Sequence, residues 1–371
     1  MLFNEIIGHD DTRQTLIRAV RHNHVAHAQL FDGPPGGATL ALALAFATYV
    51  NCENKGPEDA CGRCASCVKM SKLAHPDLKV MLPVAGGATS ETYLPNWRKL
   101  ITEHPYRTYE EWFQAVGIKQ GNFPVKEVRE DLIPKLYLKP YEGEYKIFLI
   151  WFPEFLNLES GNALLKVLEE PPAKTLFLLV TNQPEKLLIT ILSRTQRVAV
   201  RAFTDEEVSM HLRQHLNVDE KRARQVAYLA DGNLSEAIRL SGEEADRTED
   251  RHAWFADWMR MCYRQDLIAL VTQSEEFDKL GKEKQRGLLD YSLNLCRDLF
   301  LWKHGARDLL RLPEEERTFV ENFGKILEPD FLEHMVSDLN EAAFHIERNV
   351  RARMVMLDLS LTFSRLMRQG K

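Results

Sequence analysis

The sequence has no apolar run long enough to span a membrane, and its first residues contain no basic segment followed by an apolar one. We therefore expect no membrane association, no secretory signal and a location in a reducing cytoplasm. It also lacks an excess of positive charge, because 48 lysines and arginines face 54 aspartates and glutamates, for a net charge of −6. That balance argues against a protein that binds nucleic acid by bulk charge, but it allows a local basic patch.

What is present is the composition of a globular protein. The chain has 371 residues, of which 44% are hydrophobic and 27% are charged, enough for two or three domains. Strand-like and helix-like segments alternate up to about residue 200, and only helical patterns follow. This order predicts an α/β core in residues 1–200, a small helical lid in 201–245 and an all-α domain in 246–371. A charged stretch at 242–250 is predicted to be a linker.

Residues 28–47, AQLFDGPPGGATLALALAFA, resemble a nucleotide-binding loop without the side chains that bind phosphate and Mg²⁺. A strand, a turn containing Gly33 and Gly36, and an apolar helix reproduce the frame of the P-loop, G-x-x-x-x-G-K-[ST]. Thr39 and Leu40 fall where the lysine and the serine or threonine belong, so neither a positive charge nor a Mg²⁺ ligand is supplied. We expect that ATP is not bound productively, although a phosphate could rest weakly on the N–H groups of the turn.

The acidic half of an ATPase site is also absent. Such a site needs a strand that ends in Asp, often followed by Glu, to hold Mg²⁺ and to polarise the attacking water. The predicted strand at 146–152 has Trp151 and Phe152 in these positions. Glu154 follows Pro153, and two or three residues displace a carboxylate by about 7–10 Å, so we do not expect it to substitute. The alternative is that the chain never was a P-loop protein.

Four of the six cysteines lie close together, at Cys52, Cys61, Cys64 and Cys67. Two CxxC steps let a turn bring thiolates to about 2.3 Å from one Zn²⁺, and a fourth sulfur completes a tetrahedron. Four protein ligands leave no open position, so the insert at 52–67 is predicted to hold a structural zinc. Two disulfides or a redox CxxC pair are the alternatives, which a reducing compartment disfavours. The other two cysteines are predicted to be buried thiols.

Several segments resemble the bacterial clamp-loader family of AAA+ proteins. They are the GPPGG turn, the four cysteines, NALLKVLEEPP at 162–172 and SRTQ at 193–196. The resemblance covers most of residues 1–240 and implies a P-loop-like parallel sheet with a helical lid, followed by the family's helical collar domain. The excursion at residues 83–123 is longer than expected for the family. Its tryptophans indicate a packed addition, and no role is assigned to it.

The resemblance also implies a function. The family's loader is a five-subunit ring that opens the sliding clamp and places it on primer–template DNA, and its gamma/tau-type subunits hydrolyse ATP. We expect this chain to be a ring member without ATPase activity, with gamma/tau and delta subunits as partners.

A family arginine reaches the ATP of a neighbouring subunit from a Ser-Arg-Cys motif, and such a finger neutralises charge on the γ-phosphate. The matching residues are Ser193, Arg194 and Thr195, with Thr195 in place of the cysteine. The alternative is that Arg194 merely pairs with a carboxylate at a helix end. A further departure is Ser235, which stands where AAA+ lids usually have a sensor arginine.

Two other functions stay open at this point. A gamma/tau-like clamp-loader ATPase is opposed by Thr39, Leu40, Trp151 and Phe152. A zinc-dependent nucleic-acid-binding module is opposed by the acidic balance, and by the lack of interleaved aromatic and basic residues around the cysteines.

Overall fold

The computed structural model describes residues 1–242, 248–307, 310, 312, 314–327, 329–348 and 350–369. The chain forms two compact units, Met1–Val218 with Ala230–Ile238, and Asp219–Leu229 with Arg239–Lys371. Residues of the predicted lid occur in both units, so the lid stays a prediction, and residues 243–247 of the predicted linker lie outside the described residues. In the part of the chain that is described, none of the helices combines the length and the apolar character needed to cross a membrane.

The first unit is built on a parallel sheet, which has five strands among the described residues. They are β1 (Ala28–Asp32), β2 (Leu78–Met81), β3 (Lys146–Trp151), β4 (Thr175–Thr181) and β5 (Gln196–Ala199), in the order β2-β3-β4-β1-β5. Every residue of β1, β3 and β4 is buried, as expected for strands covered on both faces by helices. The edge strands β2 and β5 carry exposed residues. The predicted parallel α/β sheet is therefore confirmed.

Nine α-helices accompany the sheet in this part of the described chain. They are α1 (Asp10–Arg21), α2 (Thr39–Val50), α3 (Ala65–Ser71), α4 (Ser90–Glu103), α5 (Tyr109–Val116), α6 (Ile133–Leu136), α7 (Leu158–Glu169), α8 (Ile189–Leu192) and α9 (Asp205–Leu216). A π-helical turn at Glu127–Leu132 runs without a break into α6, whose second residue is Pro134.

Further along the chain the described residues form only helices. They are α10 (Glu220–Ala230), α11 (Leu234–Ser241), α12 (Thr248–Arg264), α13 (Leu267–Lys279), α14 (Lys282–Lys303), α15 (Glu314–Gly324), α16 (Pro329–Glu347) and α17 (Ala352–Gln369). In the second unit, the fully buried Trp258 of α12 donates its indole N–H to Ser360 Oγ of α17 at 2.9 Å. Cys262 and Cys296 are buried thiols there, as predicted.

Asp77 fixes the approach of two strands to each other. Its carboxylate accepts three backbone N–H bonds from the loop that precedes β3. The donors are Tyr141 at 2.6 Å, Glu142 at 2.9 Å and Gly143 at 2.7 Å. Because Asp77 immediately precedes β2, which pairs with β3, these bonds hold the two strand starts in register. Burial raises the pKa of Asp77, but the three N–H donors together outweigh it, so that its pKa is lowered.

Asp77→Asn is expected to lower the free energy of unfolding at pH 7 by about 1–3 kcal/mol, because an amide has one acceptor oxygen in place of two. A carboxyl whose pKa is lowered on folding stabilises the fold above its unfolded pKa of about 3.9. That stabilisation is lost as the pH falls through the folded pKa, so the difference from the parent protein should shrink below pH 4. Urea unfolding of both proteins at pH 7 and at about pH 3 measures it.

The control is Asp10→Asn, since Asp10 is exposed and forms a surface ion pair with Arg13 three residues away. Surface pairs of this kind contribute about 0–1 kcal/mol. Equal stabilities of the parent protein and Asp77→Asn at pH 7 would contradict the stabilising role of the Asp77 carboxylate.

Candidate functional site

The carboxyl ends of β1, β3 and β4 meet at one edge of the sheet, where ligands bind in open parallel sheets. Phe31, Val180 and Trp151 lie side by side in register, and the loop with Gly33 follows β1 directly. The structure thus brings the loop and the strand end, the two halves of the predicted nucleotide site, to the same edge.

Thr39 and Leu40, at the positions of the P-loop lysine and serine or threonine, are the first residues of α2. They are 4% and 2% exposed. All of α2 is buried, and its sequence contains no charged residue. The end of the helix that faces a phosphate in an active P-loop therefore brings no cationic side chain from α2 to the loop.

Other parts of the chain satisfy the backbone of the loop. The side-chain amide of Asn182, just after β4, donates to the carbonyl oxygens of Gly33 at 2.8 Å and Pro34 at 3.2 Å. The N–H of Gly37 donates to the Pro34 carbonyl at 3.1 Å. One of the N–H groups that we considered for weak phosphate binding is thus already paired within the turn.

A segment from the start of α11 closes onto the loop. Gly36 has a φ of 67°, and a Cβ placed on it would lie 1.7 Å from Oδ1 of Asn233, so only glycine fits. The N–H of Leu234 donates to the Gly36 carbonyl at 3.1 Å. The next residue, Ser235, stands at the sensor-arginine position and donates its hydroxyl to Oε2 of Glu111 at 2.7 Å. The residue at this position therefore contacts a carboxylate of the excursion.

Glu111 is held by donors on three sides. Besides the Ser235 hydroxyl, the N–H of Thr108 lies 2.8 Å away and Nη1 of Arg107 lies 3.0 Å away. Burial raises the pKa of Glu111, but these bonds and the charge of Arg107 outweigh it, so that its pKa is lowered. Glu111 is therefore ionised at neutral pH and forms an ion pair with Arg107.

The excursion covers Trp151 and Phe152. Both side chains are 1% exposed. The rings of Trp97 and Trp112 contact the Trp151 ring edge to face, with centroids 6.1 Å and 5.9 Å away, and Tyr109 lies 5.9 Å from Phe152 in the same manner. This explains the aromatic content of residues 83–123: α4 and α5 form an apolar cover on the strand end where Mg²⁺ ligands would lie.

The excursion is also closed at its base. Val84 and Asn122 form an antiparallel bridge, with N–H to carbonyl distances of 2.9 Å and 3.0 Å. The buried indole N–H of Trp112 donates to the Pro83 carbonyl at 3.0 Å. The two ends of the segment thus meet, and the helices between them pack as one layer.

Glu154 does not take the place of the missing carboxylates. Its Oε2 accepts the Thr181 hydroxyl at 2.8 Å, and its Oε1 accepts the N–H of Asn182 at 3.3 Å. Burial is the dominant effect on this carboxyl and raises its pKa. Glu154 is thus engaged with the end of β4.

The candidate arginine finger lies just after α8. Arg194 is 31% exposed and pairs with Glu169 at the end of α7, with Nε 2.8 Å from Oε1. Its Nη1 donates to the Thr190 carbonyl at 2.8 Å and to the Ser193 hydroxyl at 3.1 Å. Thr195 donates its hydroxyl to carbonyls of the preceding turn. Arg194 therefore makes the helix-end ion pair that was the alternative interpretation, and this contact alone assigns no catalytic role.

The four clustered cysteines converge on one point. The Sγ atoms of Cys52, Cys61, Cys64 and Cys67 all lie within 4.8 Å of one another, and none forms a disulfide. Each of the first three accepts an N–H bond from the backbone of the next cysteine, at 3.2, 3.3 and 3.4 Å. Such bonds from Arg63 and Cys64 lower the pKa of the Cys61 thiol to about 6.

This donor set fits zinc. Sulfurs at about 2.3 Å from a tetrahedral Zn²⁺ lie about 3.8 Å apart, and backbone N–H bonds favour the thiolate form that binds metal. The four cysteines that the sequence spacing indicates as ligands therefore lie together in a cluster that could bind one zinc ion.

Residues 8–204 match the family model described as "DNA polymerase III, delta subunit". The chain belongs to the family of DNA polymerase III clamp-loader subunits. Among members of this family, the delta' subunit of Yersinia pestis is 31% identical over 290 residues, which are 76% of this chain and 72% of that protein. The delta' subunit of Bacillus subtilis is 25% identical over 297 residues, 80% of this chain and 78% of that protein.

The tau subunit of B. subtilis is 28% identical over 243 residues, 64% of this chain but only 37% of tau. The chain thus matches little more than a third of that clamp-loader relative. A solved structure of a gamma subunit-related protein from Thermotoga maritima is 16% identical, with a TM-score of 0.37, and the match covers 96% of this chain and 100% of that one.

Elemental analysis of the purified chain is expected to find about one zinc per molecule. Cys64→Ser should remove the metal and lower the unfolding temperature, because a serine hydroxyl is a much poorer zinc ligand than a thiolate. Cys262→Ser is the control, since this buried thiol lies outside the cluster and its loss should leave the zinc content unchanged. Full zinc content in Cys64→Ser would show that the ligand assignment is wrong.

Proposed function

We propose that the chain is the delta'-type subunit of the sliding-clamp loader, a non-hydrolysing ring member with an AAA+ core and a helical collar. It scaffolds the ring with gamma/tau and delta subunits and supplies Arg194 to the ATP of a neighbouring subunit. Its action on the sliding clamp and on primer–template DNA is indirect. The observation that carries the proposal is the burial of Trp151 and Phe152 under the excursion, at the place where an ATPase holds Mg²⁺.

Electrostatics support the loss of hydrolysis. Removal of a single preorganised donor from an active site costs about 10²–10³ in rate. Here the P-loop lysine position holds Thr39, and the Mg²⁺ ligand positions hold the aromatic rings of Trp151 and Phe152. Each change removes attraction for a magnesium triphosphate, so they act in the same direction.

The surface around Arg194 suits contact with another subunit. Ile189, at the start of α8 and close to Arg194 in the chain, is 82% exposed. Protein interfaces have an apolar centre and are enriched in arginine, so an exposed aliphatic side chain near Arg194 suits such a contact.

The gamma/tau-like ATPase is the main alternative, and the similarity to tau proteins keeps it open. The buried aromatic strand end is against it. The zinc-dependent nucleic-acid-binding module would require salt-dependent DNA binding by the isolated chain, which the net charge of −6 disfavours.

Titration of the isolated chain with a fluorescent ATP analogue is expected to give no Mg²⁺-dependent saturation in the micromolar range, and no phosphate release above background. The reason is that Thr39 and Leu40 supply neither the cation nor the Mg²⁺ ligand of a P-loop, and that Trp151 and Phe152 supply no carboxylate. A gamma/tau subunit measured in the same way provides the positive control. Micromolar binding with sustained turnover by this chain would favour the ATPase alternative.

Arg194→Ala should slow hydrolysis at the adjacent site of the reconstituted loader by about 10³-fold or more, the usual value of an arginine finger. In the whole ring this is a partial loss of DNA-stimulated turnover, because the other sites continue to work. Arg213→Ala, which removes an exposed arginine from α9, is the control. The mass of the complex should stay the same in both variants, and unchanged turnover in Arg194→Ala would exclude the finger.

A further inference from the structure

Helix α7 forms a fixed platform beneath Arg194. At its start, Asn157 caps the helix by accepting the Ser160 N–H at 2.8 Å, and the Ser160 hydroxyl donates to the Phe123 carbonyl at 2.7 Å. At its other end, Nε2 of His27 lies 2.9 Å from the Leu168 carbonyl. Hydrogen bonds therefore connect both ends of α7 to other parts of the first unit. Glu169 directly follows Leu168, the residue bonded at the second end.

The guanidinium of Arg194 is almost fully engaged. It has five N–H donors. Nε and Nη2 both donate to Oε1 of Glu169, and Nη1 donates to the Thr190 carbonyl and to the Ser193 hydroxyl. Among the described residues, these bonds leave one N–H of Nη2 without an acceptor. The plane of the guanidinium is therefore set by Glu169 on one edge and by the end of α8 on the other.

The position of Glu169 is unfavourable for the helix itself. The carboxyl end of a helix carries a partial negative charge, so that acidic residues there are destabilising by a few tenths of a kcal/mol to about 1 kcal/mol. Both Glu169 and Glu170 occupy this end. A carboxylate at position 169 therefore does not stabilise α7 itself. The ion pair between Glu169 and Arg194 accounts for it instead.

We infer that Glu169 is a positioning residue for the arginine finger, which it holds in one orientation so that the remaining Nη2 donor is available to a neighbour's γ-phosphate. This inference rests on the proposed function of Arg194. A long side chain that is already ordered loses less conformational entropy when it engages the phosphate, and correct orientation contributes directly to rate.

The test is a double-mutant cycle in the reconstituted loader, with kcat and KM for DNA-stimulated ATP turnover as readouts. Arg194→Ala defines the full effect of the finger. Glu169→Ala should give at least half of that fold-loss in kcat with an unchanged KM. The double variant should be no slower than Arg194→Ala, because both changes remove the same interaction. Glu169→Gln keeps an acceptor oxygen but no charge, and should restore part of the rate.

Glu170→Gln is the matched control, because Glu170 lies next to Glu169 and does not contact Arg194. Its kcat should equal that of the parent complex. Unfolding temperature and complex mass should be unchanged in every variant, which separates positioning from a structural role. If Arg194→Ala slows turnover while Glu169→Ala does not, or if Glu169→Ala speeds it, the role of Glu169 is overturned and the finger stands. If Arg194→Ala has no effect, the proposed function fails and this inference fails with it.

Discussion

Aromatic packing at the end of β3 determines what the carboxyl edge of the sheet can bind. Trp151 and Phe152 contact Trp97, Trp112 and Tyr109, and truncating such a buried ring typically costs about 3–5 kcal/mol. A carboxylate in place of Trp151 would lose this packing and would be buried without a partner among the rings. The excursion and the altered strand end therefore depend on each other. The same contact that completes the core of the first unit removes the place for a hydrated metal ion.

The candidate nucleotide edge and the proposed finger, Arg194, are separate parts of the first unit. The loop is closed by Asn182 and by the segment that begins at Asn233, and both contacts are made within the chain. Arg194 instead is partly exposed, close in the chain to the exposed Ile189. Contacts within the chain close the loop at the sheet edge, whereas Arg194 remains accessible to a partner. This arrangement fits the proposal that the subunit acts on the ATP of a neighbouring subunit and binds no ATP productively itself.

Much of this arrangement is readable from local sequence. The continuous apolar runs of β3 and β4 identify buried parallel strands, and the spacing after Gly33 identifies the missing lysine. Contacts between distant segments are not readable: Glu111 and Ser235 are 124 positions apart, and no periodicity links them. The aromatic residues of the excursion indicate that it packs, but the sequence does not show that its partners are Trp151 and Phe152.

The order of strands constrains how the protein is made. Leu30 of β1 lies opposite Leu179 of β4 and Arg197 of β5, so the first strand to leave the ribosome must wait for partners synthesised some 150 residues later. Long-range parallel pairing of this kind is slow, and unpaired apolar strands aggregate while they wait. The cysteine cluster, by contrast, closes within a short stretch of chain. During translation it can organise early, well before the sheet around β1 is complete.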